Sequence, residues 1–132
     1  MKTFWRRATR RAKRGFLTMR FQLFQRHRYG RLVLERIDGR PFVVLPQVFN
    51  PALFEASAFL ARMFDLVVVR PEASVLDLGT GSGVGAVFAA QHARRVTATD
   101  INSAAVRCAR INALLNHVED RVEVLEGDLF AP

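Results

Sequence analysis

The chain has one cysteine, Cys108, in 132 residues. A single thiol can form no disulfide within the chain and no cysteine-rich metal site. It falls in an apolar helical stretch, where it reads as a small core residue rather than a nucleophile. A reducing, cytoplasmic setting is the expectation. Long apolar runs are also missing, and nothing approaches the roughly 20 residues a membrane-spanning helix needs. No acidic residue precedes Glu35, and no serine precedes Ser57. An organelle-targeting peptide is poor in acids but rich in serine, so the front of the chain meets one criterion and fails the other.

What is present bounds the class. Hydrophobic residues make up 50% of the chain and charged residues 24%, the balance of a folded domain rather than a disordered one. The length suits one domain with one core, and is small for a complete doubly wound sheet. The net charge of +8 is unevenly spread. Residues 1–40 hold 13 Lys and Arg against only Glu35 and Asp38, whereas residues 41–132 carry a net −3. Residues 1–28 read as a basic amphipathic helix, with Phe4, Ala8, Ala12 and Phe16 on one stripe and Arg7, Arg10, Arg11 and Arg14 largely off it. Such a segment fits a phosphate-binding arm for RNA, an interfacial membrane helix, a targeting peptide, or a solvated helix packed on its own domain.

Residues 29–48 read as a β-hairpin used as a lid or accessory sheet. Leu32 and Leu34 alternate with Val33 and Glu35, Asp38-Gly39 is a strong turn pair, and Phe42 to Leu45 returns. Asn50 can cap a helix whose first turn accepts Pro51. Leu53, Phe54, Ala58, Leu60, Ala61 and Phe64 then give one apolar face as far as Leu66.

The chain is organised around Val75 to Gly85. Val75–Leu78 reads as a short buried strand, glycines 79, 81 and 83 as a turn whose backbone can approach a ligand, and Val84–His92 as a helix. Arg95–Thr99 is a second strand with Val96 and Ala98 inward, ending in Asp100. Ser103 caps the next helix, with Ala104, Cys108, Ile111 and Leu115 as its core stripe and Asn116-His117 closing it. Arg121–Leu125 is a third strand, followed by Gly127-Asp128. Strand and helix alternate with short connections, which predicts an α/β fold: the first half of a Rossmann-like parallel sheet, strand order 3-2-1.

In such a sheet ligands lie across the carboxyl ends of the strands. A carboxylate at the second end, Asp100, can accept hydrogen bonds from ribose hydroxyls. The glycine spacing does not choose the cofactor, because Gly81, Gly83 and Ala86 also satisfy the dinucleotide pattern. Asp77 discriminates. Two residues before the first glycine, it repels a pyrophosphate but suits a ligand bearing an ammonium and a sulfonium.

The order Asp77-x-Gly79-x-Gly81-x-Gly83, then Asp100, then Gly127-Asp128, resembles the class I S-adenosyl-L-methionine-dependent methyltransferases, over Phe49 to Phe130. Val48–Phe54, the Asp77–Ala86 loop, Ala109–Ala113 and Glu126–Phe130 look like its small-domain members, among them the release-factor glutamine and the ribosomal- and transfer-RNA N-methyltransferases. The resemblance implies that Gly79, Thr80 and Gly81 run along the methionine part and Asp77 holds its amino end. It further implies that Asp100 binds the ribose, Ile101 lies on the adenine face, and Asp128 with the Leu129 backbone meets the adenine edge. The segment from Phe49 to Ser57 is expected to pack against bound cofactor, although it lacks the Pro-Arg-Pro-Glu-Thr sequence of the release-factor enzymes. The Asn-Pro-Pro-Tyr sequence that holds the target amine in those enzymes is absent from the chain. Residues 49–132 are therefore expected to be the cofactor-binding half of a methyltransferase acting on RNA, the ribosome or a translation factor, inactive alone. A non-catalytic cofactor- or RNA-binding module and an NAD-type half are the alternatives.

Overall fold

Alternation over residues 31–45 and the Asp38-Gly39 pair produce the expected hairpin. The computed structural model describes residues 30–53, 62–63 and 70–128. The basic helix expected over 1–28, most of the helix expected up to Leu66, and Leu129 lie outside the described residues. Strands β1 (Val33–Ile37) and β2 (Arg40–Val44) pair antiparallel, Ile37 opposite Arg40 and Val33 opposite Val44. Asp38 and Gly39 take φ of 47° and 80°, the doubly positive pattern of a type I′ turn, whose twist matches that of the strands. Ile37, Phe42 and Val44 are buried on one face, while Leu32 and Leu34 are exposed. Beyond β2, Asn50 Oδ1 accepts from Ala52 N–H at 2.9 Å and caps a short 3-10 turn, Pro51–Leu53.

Strands β3 (Ser74–Leu78), β4 (Arg95–Asp100) and β5 (Val122–Glu126) form a parallel sheet in the order β3-β4-β5. The third-second-first order is the one expected from the sequence. Val96 lies in register between Val75 and Val122. Helix α1 (Val84–Ala89) packs on β3 and β4, and α2 (Ser103–Leu115) packs on β4, β5, α1 and β2. Beneath them Val96, Ala98, Val122 and Val124 are buried, with Val75 partly so. Ile37 and Phe42 of the hairpin belong to that same cluster. Phe42 stacks on Phe88 of α1 with ring centroids 6.1 Å apart, and the Arg40 guanidinium lies 5.9 Å from the Phe88 ring.

Four local expectations are corrected. Val75–Leu78 is not a buried strand: Leu76 and Leu78 are 49% and 37% exposed. Among the described elements both helices lie on one face and β3 pairs only with β4, so alternate residues face away from the core. Helix α1 ends at Ala89 rather than His92. There the Gln91 and His92 N–H groups turn to the third carbonyl back, Phe88 and Ala89, which tightens the chain toward β4. The cap of α2 is Asn102, not Ser103. Asn102 is extended (φ −87°, ψ 111°) and its Oδ1 accepts from Ala104 N–H, so Ser103 is already helical. Finally, Ile111 and Leu115 are 40% and 39% exposed. The buried face of α2 keeps Ala104 and Cys108 but continues through Ala105, Ala109, Asn112 and Ala113. At Ala109 the approach to the glycine turn is close, since a Cβ on Gly83 would lie 2.9 Å from Ala109 Cα.

The end of α2 matches its expectation. His117 takes φ 57°, its N–H donates to Leu114 O, and Val118 N–H reaches Ala113 O, a Schellman closure with histidine in the left-handed position.

Candidate functional site

The carboxyl ends of β3 and β4 open into a cleft of about 400 Å³, within the roughly 300–1,000 Å³ range of small-molecule sites. Its floor is the glycine turn. Gly79 and Gly81 take φ of 68° and 58°, and a Cβ on either would meet no atom within 4 Å. The left-handed backbone costs little only in glycine, and the absent side chains leave the main chain open to the cleft. The turn is pinned at three points. Thr80 N–H donates to Thr99 O at 2.9 Å, Gly83 N–H donates to Thr80 O at 2.9 Å, and Gly81 N–H donates to Asp100 Oδ2 at 2.8 Å.

Asp100 therefore holds the protein together as well as facing the cleft. Its other oxygen, Oδ1, accepts from Asn102 N–H at 2.9 Å. Each carboxylate oxygen has two lone pairs, so one per oxygen is left for a ligand. Asp77 reaches the cleft from the helix-side face of β3. Its Oδ2 accepts from the Thr80 hydroxyl at 2.7 Å, and its carboxylate sits 2.9 Å from where a Gly85 Cβ would be. A side chain at position 85 would therefore have to displace this carboxylate, a constraint the sequence reading did not assign.

The opposite wall is the loop that follows the hairpin. Gln47, Val48, Phe49 and Pro51 line the cleft, with Asn102 and Ala105 at the start of α2. In the turn Leu45–Val48, Pro46 stands second and Gln47 third with φ 66°, the arrangement of a type II turn with glutamine where glycine is usual. Asn102 Nδ2 donates to Gln47 O at 3.1 Å, and Asn50 Nδ2 donates to Glu35 Oε1 at 2.8 Å. Behind both walls, buried Asn112 accepts from Val43 N–H and donates to Val43 O and Ser82 O, at 2.7, 2.7 and 2.8 Å.

Of the residues singled out from the sequence, the cleft brings together Asp77, Gly79, Thr80, Gly81 and Asp100, with Phe49 and Pro51 from the segment Phe49 to Ser57. Gly83 lies behind it, against Ala109. Ile101 is not core; it is 71% exposed just beyond β4. Asp128 is exposed past the end of β5 and does not line the cleft. Gln47 and Asn102 were missed, and Val48 entered only as the start of the Val48–Phe54 segment. Pro46 was read only as a break in the pattern, although a proline at the second position of a turn is a usable signal.

Among the described residues the lining carries two carboxylates and no Lys, Arg or His. A pyrophosphate there would meet repulsion of about 4 kcal/mol for a pair of charges 4 Å apart at an effective dielectric of 20. A ligand with positive charge and ribose-like hydroxyls meets the opposite. Among the described residues no group of His, Cys, Asp and Glu is placed to hold a metal ion, and no helix is long and apolar enough to cross a membrane.

Comparison with known proteins is consistent with that geometry. A family described as "Ribosomal protein L11 methyltransferase (PrmA)" matches residues 59–131. The protein of that name from Pelotomaculum thermopropionicum is 52% identical over 102 residues, covering 76% of this chain and 30% of that protein. Its namesake from Leuconostoc citreum is 38% identical over 98 residues, covering 73% of this chain and 33% of that protein. The chain thus spans about a third of these relatives' length. Among solved structures, the tRNA m1G37 methyltransferase of Methanocaldococcus jannaschii superposes with a TM-score of 0.62 at 25% identity, over 74% of this chain and 30% of that one.

Proposed function

The chain belongs to the ribosomal protein L11 methyltransferase family, and we propose that its cleft is the S-adenosyl-L-methionine site of an enzyme that methylates a ribosomal protein. The observation that carries the proposal is the pair Asp77 and Asp100 around a backbone turn with no basic side chain among the described lining residues. When bound, S-adenosyl-L-methionine supplies a methyl group on a positively charged sulfur, open to in-line displacement by a nitrogen lone pair. The residues of this chain bind and orient. Asp77, held by the Thr80 hydroxyl, receives the amino end, and Gly79, Thr80 and Gly81 offer backbone along the methionine part. Asp100 uses its remaining lone pairs for the ribose hydroxyls. Ile101 is the apolar surface for the adenine face, and Asp128 with the Leu129 backbone meets its edge.

The relatives' names favour a protein substrate over RNA. The net +11 of residues 1–40 suits a substrate encountered near ribosomal phosphate, and the cytoplasm is the compartment this reading assigns. Calorimetry on the chain tests the cofactor directly. S-adenosylhomocysteine is expected to bind and NAD to bind weakly or not at all; tighter binding of NAD would overturn the proposal.

A further inference from the structure

We propose that Asn112 is a positioning residue for the cofactor cleft, acting through the main chain of both walls. Its carboxamide is fully buried, and its bonds reach the glycine turn at Ser82 O and the hairpin at Val43 N–H and O. The two carbonyls fix the amide orientation, since a flipped group would set its oxygen against both. Val43 in turn places the second wall. Val44 and Val48 are buried with Ala104, Ala105 and Cys108, so the chain from Val43 to the Gln47–Pro51 loop is held at both ends. One carboxamide that does not line the cleft thereby ties the main chain of one wall to that of the other. A site held in its binding geometry wastes no affinity on rearrangement, which is the gain lost when such a support is removed.

The proposal rests on the reading of the cleft as the S-adenosyl-L-methionine site, and the test separates the two. Asn116 supplies the control. It is buried on the same helix and bonds Pro41 O and Asn112 O, so it supports the hairpin without touching the glycine turn. S-adenosylhomocysteine affinity and melting temperature are measured for the full chain, Asn112→Ala and Asn116→Ala. Both variants are expected to melt earlier. At a temperature where all three are folded, Asn112→Ala is expected to bind roughly tenfold more weakly, as losses of supporting hydrogen bonds do elsewhere, and Asn116→Ala to stay within about twofold. Equal affinities for the two variants would overturn the proposal while leaving the cofactor reading intact. Failure of the unaltered chain to bind would overturn both. If Asn112→Ala does not fold, hydrogen exchange in the unaltered protein decides. S-adenosylhomocysteine is then expected to slow exchange at the Val43 amide more than at Val96 in the central strand, and equal slowing would refute the clamp.

Discussion

Replacing Asp100 by asparagine tests whether this carboxylate serves fold and ligand together. Its two oxygens accept from two different backbone donors, Gly81 N–H at 2.8 Å and Asn102 N–H at 2.9 Å. An amide of the same shape offers one oxygen and one NH2, so either orientation sets a donor against a donor. One charge-assisted bond is lost, which for a partly buried group costs about 1–2 kcal/mol. The donor left facing it belongs either to the glycine turn or to the entry of α2. Asp77→Asn is the internal comparison. Its partner is the Thr80 hydroxyl, a rotor that can donate or accept as required, so its stability cost is expected to stay below about 0.5 kcal/mol. Both variants are expected to bind S-adenosylhomocysteine roughly ten- to a hundredfold more weakly, the equivalent of about 1.4–2.8 kcal/mol. Urea unfolding read alongside calorimetry separates the two effects. The reasoning fails if Asp100→Asn unfolds no earlier than Asp77→Asn, or if it binds as the unaltered protein does.

Gly83→Ala and Gly79→Ala both place a side chain at positive φ, a strain of about 1–2 kcal/mol. Only the first drives a Cβ to 2.9 Å from Ala109 Cα, adding about 1–3 kcal/mol of overpacking; equal denaturation midpoints would contradict the close packing of α2 on the turn. Gln47→Gly removes left-handed strain at φ 66° and is expected to leave stability unchanged or raise it by up to about 1 kcal/mol, read from the melting curve. Burial pushes the Cys108 thiol above its ordinary value of 9.0, outweighing the hydrogen bonds from Leu45 N–H and Asn112 that pull it down. The folded state therefore keeps a proton that the unfolded chain releases. This stabilisation is complete at neutral pH and is lost as pH rises past the unfolded value and through the folded one. Unfolding free energies are expected to fall more steeply above about pH 9 than those of Cys108→Ala, and parallel curves would count against a buried thiol. If residues 1–28 contact phosphates, RNA affinity should drop steeply with added salt, and filter binding should show it lost on their deletion; unchanged affinity would remove the arm.

How much of this was legible in the sequence follows from which interactions are local. The turn glycines, the Asp38-Gly39 hairpin and the strand order could be read because each depends on residues adjacent in the chain. Asp77 and Asp100 could be found because a sheet delivers the ends of its strands to one side. Cys108 was placed in the core correctly, but Ile111 and Leu115 were not. Hydrophobicity predicts which face of a helix is buried only when apolar packing decides the matter. On α2 the contact with Gly83 favours a small residue at Ala109, and the contact with β2 favours an asparagine at 112. The place of Gln47 in the opposite wall was missed because a glutamine conceals the turn that a glycine would have announced.

The asparagines of α2 explain how a hairpin can be docked edge-on against a helix. In an antiparallel pair alternate residues of a strand turn their backbone groups outward, and on β2 those residues are Pro41 and Val43. Buried outward groups need partners, and leaving them unpaired costs about as much as a lost hydrogen bond each. Pro41 has no N–H to satisfy, and its carbonyl takes Asn116 Nδ2 at 2.9 Å. Val43 has both groups, and Asn112 answers both. The spacing makes this possible: two residues of strand rise about 6.6–6.8 Å, and four residues of helix rise about 6.0 Å. Asn112 and Asn116 thus stand opposite Val43 and Pro41 much as a neighbouring strand would. Cys108, one turn earlier, adds an S–H bond to Val43 O at 3.1 Å, and Asn102 meets Gln47 O. A leucine at position 112 would bury more apolar area yet strand two main-chain groups, Val43 N–H and Ser82 O, and leave Val43 O with only the Cys108 S–H. The same carboxamide that closes this edge reaches the glycine turn, so sealing the hairpin and spacing the cleft are a single structural act.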